Sequence, residues 1–297
     1  MLYSGILDAI GDTPLVELRN VSPNPRVRIF AKLEGQNPGG SLKDRIAHYM
    51  IKAAEESGEL THDRIILEAT SGNTGIGLAM IGIVKRYKVK VVMPDNVSQE
   101  RTRLLQAFRA DIVYSEGALG TNGAIQMALR MVEEDGRYYM PFQFGNENNP
   151  RAHYETTGPE ILRDLPDLDV FVAGLGTGGT LTGVGRRLKE HNPNIRIIAT
   201  LPPLGDLVQG LRSLEEGFVP PVLDESLLDD RLVVDSRTSF AAANELLQKE
   251  GIFAGISSGA VLHTAQRVAE QMEQGKIVAL LADGGWKYLS MPLDHGL

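Results

Sequence analysis

The chain's pattern predicts an α/β fold built on two doubly wound open sheets, and three observations carry that prediction. Short β-rich runs alternate with helical segments along most of the sequence. The runs are apolar throughout rather than alternating, as strands covered by helices on both faces are. Polar, glycine-rich turns follow several of them, at the carboxyl ends where open α/β sheets bind ligands. With 297 residues there is chain enough for about two such units.

The elements follow in order. At "NPGGSLKDR", residues 37–45, Ser41 and Asp44 have capping-box spacing, which predicts a helix start. Ile46, Met50, Ala53 and Ala54 then recur at helical spacing, and Gly58 supplies a stop. "RIILEA" (64–69) is a strand running into the turn "TSGNTG" (70–75) and the helical "IGLAMIGIVKRY". "KVVMP" (90–94) precedes "SQERTRLLQAFR", with Ser98 as its cap. "DIVYSE" (111–116) precedes the helical "NGAIQMALRMVEED", and "YYMPFQFG" is a further apolar run. "DVFVAGLG" (169–176) opens into the turn "GTGGT" (176–180). "RIIATLP" (196–202), "RLVVD" and "KIVALLAD" (276–283) complete the strands, and "GISSGA" (255–260) opens the late helix "VLHTAQRVAEQM". Strands so joined by helical crossovers are predicted to run parallel.

Composition removes several classes of function. There is no cysteine, hence no disulfide, thiol nucleophile or Cys-based metal site. The six histidines show no close pair with metal-ligand spacing. A net charge of −8 without a Lys/Arg stripe argues against nucleic acid or an anionic membrane as partner. No apolar run approaches a membrane span, and the N-terminus lacks the basic start of a secretory signal, so a cytoplasmic protein is expected. No G-x-S-x-G elbow or Walker lysine is present.

What remains is a set of polar turns and one oddly placed lysine. Lys43 falls in the first turn of its helix, where the macrodipole disfavours a cation by about 0.3–1 kcal/mol. A site that disfavours an ammonium suits imine chemistry. "GLGTGG" matches G-x-G-x-x-G at Gly174, Gly176 and Gly179, but the next strand ends "IIATLPP" with no acid for a ribose, which disfavours NAD. Phosphate binding survives that test: small residues, the hydroxyls of Thr177 and Thr180, and a helix N-terminus. "TSGNTG" offers Thr70, Ser71, Asn73 and Thr74 to a carboxylate, although an ordinary capped turn has the same residues. A cofactor with an aldehyde and a phosphate, acting on an amino acid, would use all three features. Pyridoxal 5′-phosphate (PLP) is such a cofactor.

Motifs spread over nearly the whole chain then support a resemblance: "IGDTPLVEL", "KLEGQNPGGSLKDR", "EATSGNTGIGLAM", "MPDNVSQER", "QFGNENNPRAHYETTGPEI", "GLGTGGTLTGVGR" and "EGIFAGISSGAVL". The chain resembles the cysteine synthase branch of the tryptophan-synthase-β-like, fold-type-II PLP enzymes. The resemblance implies a catalytic Lys43 that carries the cofactor, and Asn73 on its ring hydroxyl. It implies Gly176, Thr177, Gly178, Gly179 and Thr180 around the phosphate and Ser257 at the pyridine nitrogen. Thr70, Ser71, Thr74 and Gln143 would hold the substrate carboxylate. A serine hydroxyl at the ring nitrogen leaves it largely neutral, a weaker electron sink that favours direct loss of a leaving group from Cβ. The implied division is a larger PLP-binding domain, 1–41 with 146–297, and a smaller mobile domain, 42–145.

The implied reaction is PLP-dependent β-replacement on an O-activated L-serine, giving L-cysteine. "GLRSLEEGFVPPVLD" and "DGGWKYLS" resemble the cysteine synthase B, O-phosphoserine-using subgroup more than the O-acetylserine enzymes. There an arginine matching Arg212 meets the substrate phosphate, which a guanidinium suits by its bidentate fork. Arg212 also stands three and four residues before Glu215 and Glu216, ordinary ion-pair spacing on a surface. Sulfide or a small thiocarboxylated sulfur-carrier protein would supply sulfur; the family further implies a homodimer and serine acetyltransferase as a partner. Alternatives are a serine/threonine dehydratase or cystathionine β-synthase-like enzyme of the same fold, an NAD-dependent oxidoreductase, and a catalytically silent partner in sulfur assimilation.

Overall fold

The computed structural model describes residues 2–70 and 72–290. Along the chain come β1 (Leu15–Leu18), β2 (Val27–Leu33), α1 (Lys43–Ser57), β3 (Ile65–Ala69), α2 (Asn73–Lys85), β4 (Lys88–Pro94) and α3 (Gln99–Ala107). Then follow β5 (Asp111–Ser115), α4 (Gly120–Glu134), β6 (Tyr138–Tyr139), α5 (Asn148–Ala152), α6 (Gly158–Asp164), β7 (Val170–Gly174) and α7 (Gly179–His191). The last are β8 (Arg196–Leu201), β9 (Asp230–Val233), α8 (Ser236–Glu250), α9 (Ile256–Gln271) and β10 (Gly275–Leu281). No helix among the described residues is long and apolar enough to cross a membrane.

The strands form two sheets, in the orders β5-β4-β3-β6 and β1-β2-β10-β7-β8-β9. Every pairing is parallel except β1 on β2, where Leu15 faces Lys32 and Leu18 faces Ile29. β1 and β2, which the sequence pattern did not single out, are joined by a short loop rather than a helical crossover and so pair antiparallel.

Alternation of side chains explains why both faces must be apolar. In the six-stranded sheet Ile29, Ala31, Val170, Val172, Ile277 and Ala279 pack on one face with Leu246, Leu262 and Val268 of α8 and α9. Their neighbours Phe30, Phe171, Ala173, Val278 and Leu280 point the other way, onto Ile161, Leu181, Val184 and Leu188 of α6 and α7. The four-stranded sheet repeats the arrangement. Ile66, Val89, Val91 and Met93 meet Ile51, Ile76 and Leu105, while Leu67, Ala69 and Val92 meet Ala124, Ile125 and Ala128 of α4.

The start of α1 differs from the predicted capping box. The Ser41 hydroxyl accepts from the Lys43 N–H at 3.2 Å, and the Asp44 carboxylate accepts from the Gly39 N–H rather than capping the helix. The cause is a tight turn. Gly40 has φ +79°, and a side chain at Gly39 would collide with the Asp44 carboxylate. This turn is clasped by the end of β10: the Leu42 N–H donates to the Ala282 carbonyl at 2.9 Å, and Ser41 bridges Asp283. Gly58 closes α1 in the left-handed region, as predicted.

Candidate active site

The carboxyl ends of β3, β4, β6, β7 and β8 converge on one cavity of about 570 Å³. Lys43, Thr70, Asn73, Thr74, Gln143, Gly176, Thr177 and Arg212 all line it. Gly178, Gly179, Thr180 and Ser257 are not among the lining residues; the first three continue the chain from Thr177 into α7. Ser71 lies outside the described residues.

Lys43 is the first residue of α1, and burial lowers its amine pKa to about 8, against which the Asp283 carboxylate works. About a tenth of the amine is therefore neutral at pH 7, where an exposed lysine would be almost wholly charged. The helix-end position adds to this, but burial is the larger cause.

The wall that carries Thr70, Thr74 and Gln143 is built from β3 and the chain after β6. Gln143 donates from Nε2 to the Ala69 carbonyl (2.9 Å) and accepts at Oε1 from the Thr74 hydroxyl (2.6 Å). Thr70 Oγ1 accepts from the Gly72 N–H at 3.0 Å. Beneath them Glu68, wholly buried, accepts from the N–H groups of Ala69 and Gln143. Burial pushes its carboxyl up to about 8, so at neutral pH Glu68 is largely the neutral acid.

The loop from Gly176 to Thr180 enters the N-terminus of α7 and fits a phosphate. A Cβ on Gly176 would lie 2.7 Å from the Gly210 carbonyl, and one on Gly179 would lie 2.0 Å from Asn149 Oδ1. Gly178 holds φ +86°. Backbone N–H groups can thus approach an anion closely, in the positive potential of a 13-residue helix. Asn149 braces the loop, donating from Nδ2 to Thr177 Oγ1 (3.0 Å) and to the Gln143 carbonyl (2.7 Å). His153, in a π-helical turn between α5 and α6, spans Thr157 Oγ1 (2.9 Å) and Thr180 Oγ1 (3.2 Å). Burial holds the imidazole down to about 3, so it is neutral at pH 7. Ser257 is buried in the first turn of α9, and its Oγ lies 3.5 Å from a Cβ built on Gly210, itself a lining residue. A cavity with an amine, a glycine phosphate loop and a hydroxyl beyond its wall fits PLP.

Arg212 is not the surface residue its spacing allowed. It is 5% exposed, with its guanidinium 5.3 Å from the Phe144 ring centre and 5.0 Å from that of Phe218. Nη1 donates to Asn122 Oδ1 (2.8 Å) and Glu216 Oε2 (3.4 Å).

Sequence reading missed Asn149, His153, Asn122, Phe144 and Asp283. Asn149 and His153 lie inside a recognised motif, but no spacing tells that they face a loop 27 to 28 residues further on.

Comparison with known proteins gives the family. Residues 6–283 match the family described as pyridoxal-phosphate dependent enzyme. A cysteine synthase of Staphylococcus aureus (strain N315) is 44% identical, covering 97% of this chain and 96% of its own. The crystal structure of an O-ureido-L-serine synthase is 40% identical with a TM-score of 0.93, covering 100% of this chain and 98% of its own. A hydrogen sulfide-producing enzyme from Fusobacterium nucleatum is 44% identical with a TM-score of 0.90, covering 97% and 100%. The cysteine synthase of Entamoeba histolytica is 35% identical with a TM-score of 0.92, covering 100% and 92%. The chain belongs to the pyridoxal-phosphate-dependent enzymes, in their cysteine synthase branch.

Proposed function

We propose that this chain makes L-cysteine by β-replacement on an O-activated L-serine, with O-phosphoserine favoured over O-acetylserine. The observation that carries the reading is a buried, easily deprotonated lysine in the same cavity as a glycine loop at a helix N-terminus and a cluster of threonine hydroxyls and a glutamine amide. When bound, PLP supplies an aldehyde for the substrate amine and an electron sink that acidifies Cα–H. Thr70, Ser71, Thr74 and Gln143 hold the substrate carboxylate and so aim Cα–H at Lys43. The Lys43 amine takes that proton as the β-substituent leaves, and returns it once sulfur has bonded to Cβ. Gly176–Thr180 backbone groups would anchor the cofactor's phosphate, and the Ser257 hydroxyl would serve its pyridine nitrogen without charging it. The smaller unit, 42–145, closes on the larger one and keeps water from the reacting carbon.

Arg212 supports the phosphoserine reading, since a buried guanidinium lining the cavity offers a dianion a desolvated partner. Sulfide, or a thiocarboxylated carrier, is the sulfur donor.

The test is cysteine formation from each ester with sulfide, in wild type and Arg212→Ala. We expect R212A to raise KM for O-phosphoserine by about tenfold or more, through loss of one charge-assisted contact, and to leave O-acetylserine within about twofold. No cysteine from either ester would overturn the activity. Equal effects on both esters would overturn the substrate assignment alone.

A further inference from the structure

The segment after β10 places a second buried lysine against the site. Lys287, on the single turn Gly285–Tyr288, is fully buried and donates from Nζ to two acceptors: the Gly39 carbonyl (2.9 Å) and Asn73 Oδ1 (2.9 Å). The first acceptor belongs to the turn that leads into Lys43, and the second side chain lines the cavity. Asn73 in turn donates from Nδ2 to Asp283 Oδ2 (2.8 Å). That carboxylate oxygen also accepts from the Tyr288 hydroxyl (2.8 Å), which accepts from Arg101 Nη2 (2.6 Å).

This arrangement tells the two ends of one amide apart. An ammonium can only donate and a carboxylate can only accept. The Asn73 oxygen is therefore held by Lys287 and one of its N–H groups by Asp283. A flipped amide would set NH₂ against the ammonium and oxygen against the carboxylate, both repulsive. One Nδ2 hydrogen is left over, on a side chain that faces the cavity. A carboxamide without such partners could offer a ligand either its oxygen or its N–H.

We propose that Lys287, together with Asp283, is a positioning residue: it fixes the Asn73 amide so that a donor, and not an acceptor, meets the ring hydroxyl oxygen of bound PLP. The inference rests on the reading of Asn73 as the residue at that oxygen. Lys287 touches no substrate and acts through Asn73; its contact with the Gly39 carbonyl anchors the ammonium. Burial lowers the Lys287 amine pKa to about 8 and Arg101 works in the same direction, against the Asp283 and Asp44 carboxyl groups, so the ammonium still predominates at pH 7.

The test compares wild type, Lys287→Met, Asn73→Ala and the double variant, each loaded with PLP. The readouts are the PLP dissociation constant, the absorption band of the bound cofactor, and the melting temperature of the cofactor-free protein. We expect K287M to bind PLP about tenfold more weakly, as for loss of one fixed hydrogen bond, and to shift the band. In the N73A background the same substitution should add less than about twofold to the loss. Equal losses from K287M in both backgrounds would overturn the proposal, as would an unmoved band with unchanged affinity. If N73A itself changes neither affinity nor band, the reading of Asn73 fails first, and this inference with it. Should K287M fail to fold, Asp283→Asn takes its place: an amide there can donate, frees the Asn73 orientation, and must move the band.

Discussion

Replacing Arg45 by Met should destabilise the protein sharply, and in a manner that depends on pH. Arg45 is 1% exposed and lies two residues after Lys43 on α1. Its guanidinium grips Glu34 at 2.7 and 2.8 Å and Glu160 at 2.6 and 2.8 Å, and reaches Thr13 Oγ1 at 3.2 Å. Methionine fills similar volume, so the loss is chiefly electrostatic. Glu160 keeps Lys32, whose Nζ lies 2.7 Å away. Glu34, fully buried, keeps hydrogen bonds from Thr13 and Asn37 but loses its main countercharge. Stripping one partner from a buried pair costs about 3–5 kcal/mol; with those donors left, the lower end, about 3 kcal/mol, is expected. At roughly 2–4 °C per kcal/mol for units of this size, the melting temperature should fall by about 10 °C.

The sign with pH follows from Glu34. In the wild type its carboxyl is held at about 2, so its stabilisation is complete above the unfolded value near 4.5 and is lost only as pH falls through about 2. In R45M the buried carboxyl has a raised pKa and can neutralise itself. The gap between variant and wild type should therefore narrow as pH falls from 8 to 5, and Glu34→Gln added to R45M should recover part of the loss at pH 8. Thermal unfolding followed by circular dichroism reads all of this. A loss under about 1 kcal/mol, or a gap that does not change with pH, would refute the reasoning.

Two further predictions test the site. Gly179→Ala sets a methyl 2.0 Å from Asn149 Oδ1, within a fully packed loop; a cost of about 1–3 kcal/mol and loss of tight PLP binding are expected, measured by melting and by equilibrium dialysis. In the cofactor-free protein, competitive acylation read by peptide mass spectrometry should show Lys43 gaining reactivity as pH rises through about 8; a midpoint above 10 would contradict the burial argument.

Much of this architecture was legible from apolar runs and glycine turns, and its exceptions have physical causes. β2, "VRIFAKL", escaped because Arg28 and Lys32 interrupt it; Lys32 is nonetheless fully buried, since Glu160 and the Thr13 carbonyl satisfy its ammonium. β6 is two residues of the longer run "YYMPFQFG" because Pro141 has no N–H to donate and Phe142 turns to φ +52°. Thr70 and the loop from Gly176 follow β3 and β7, where composition announces them. Lys287, Asp283 and Asn149 work through partners brought in from elsewhere in the chain, as Lys287 meets Asn73 from 214 residues away. Arg212 had the spacing of a surface ion pair, and only packing against Phe144 and Phe218 places it inside.

The most direct test of the central claim is to load the protein with PLP, reduce it with borohydride, and map the modified lysine by mass spectrometry. Two buried lysines are held to about 8, but of the two only Lys43 lines the cavity. A phosphopyridoxyl group on the peptide carrying Lys43, and on no other, is the predicted result. Attachment at Lys287, or no covalent attachment at all, would contradict the account.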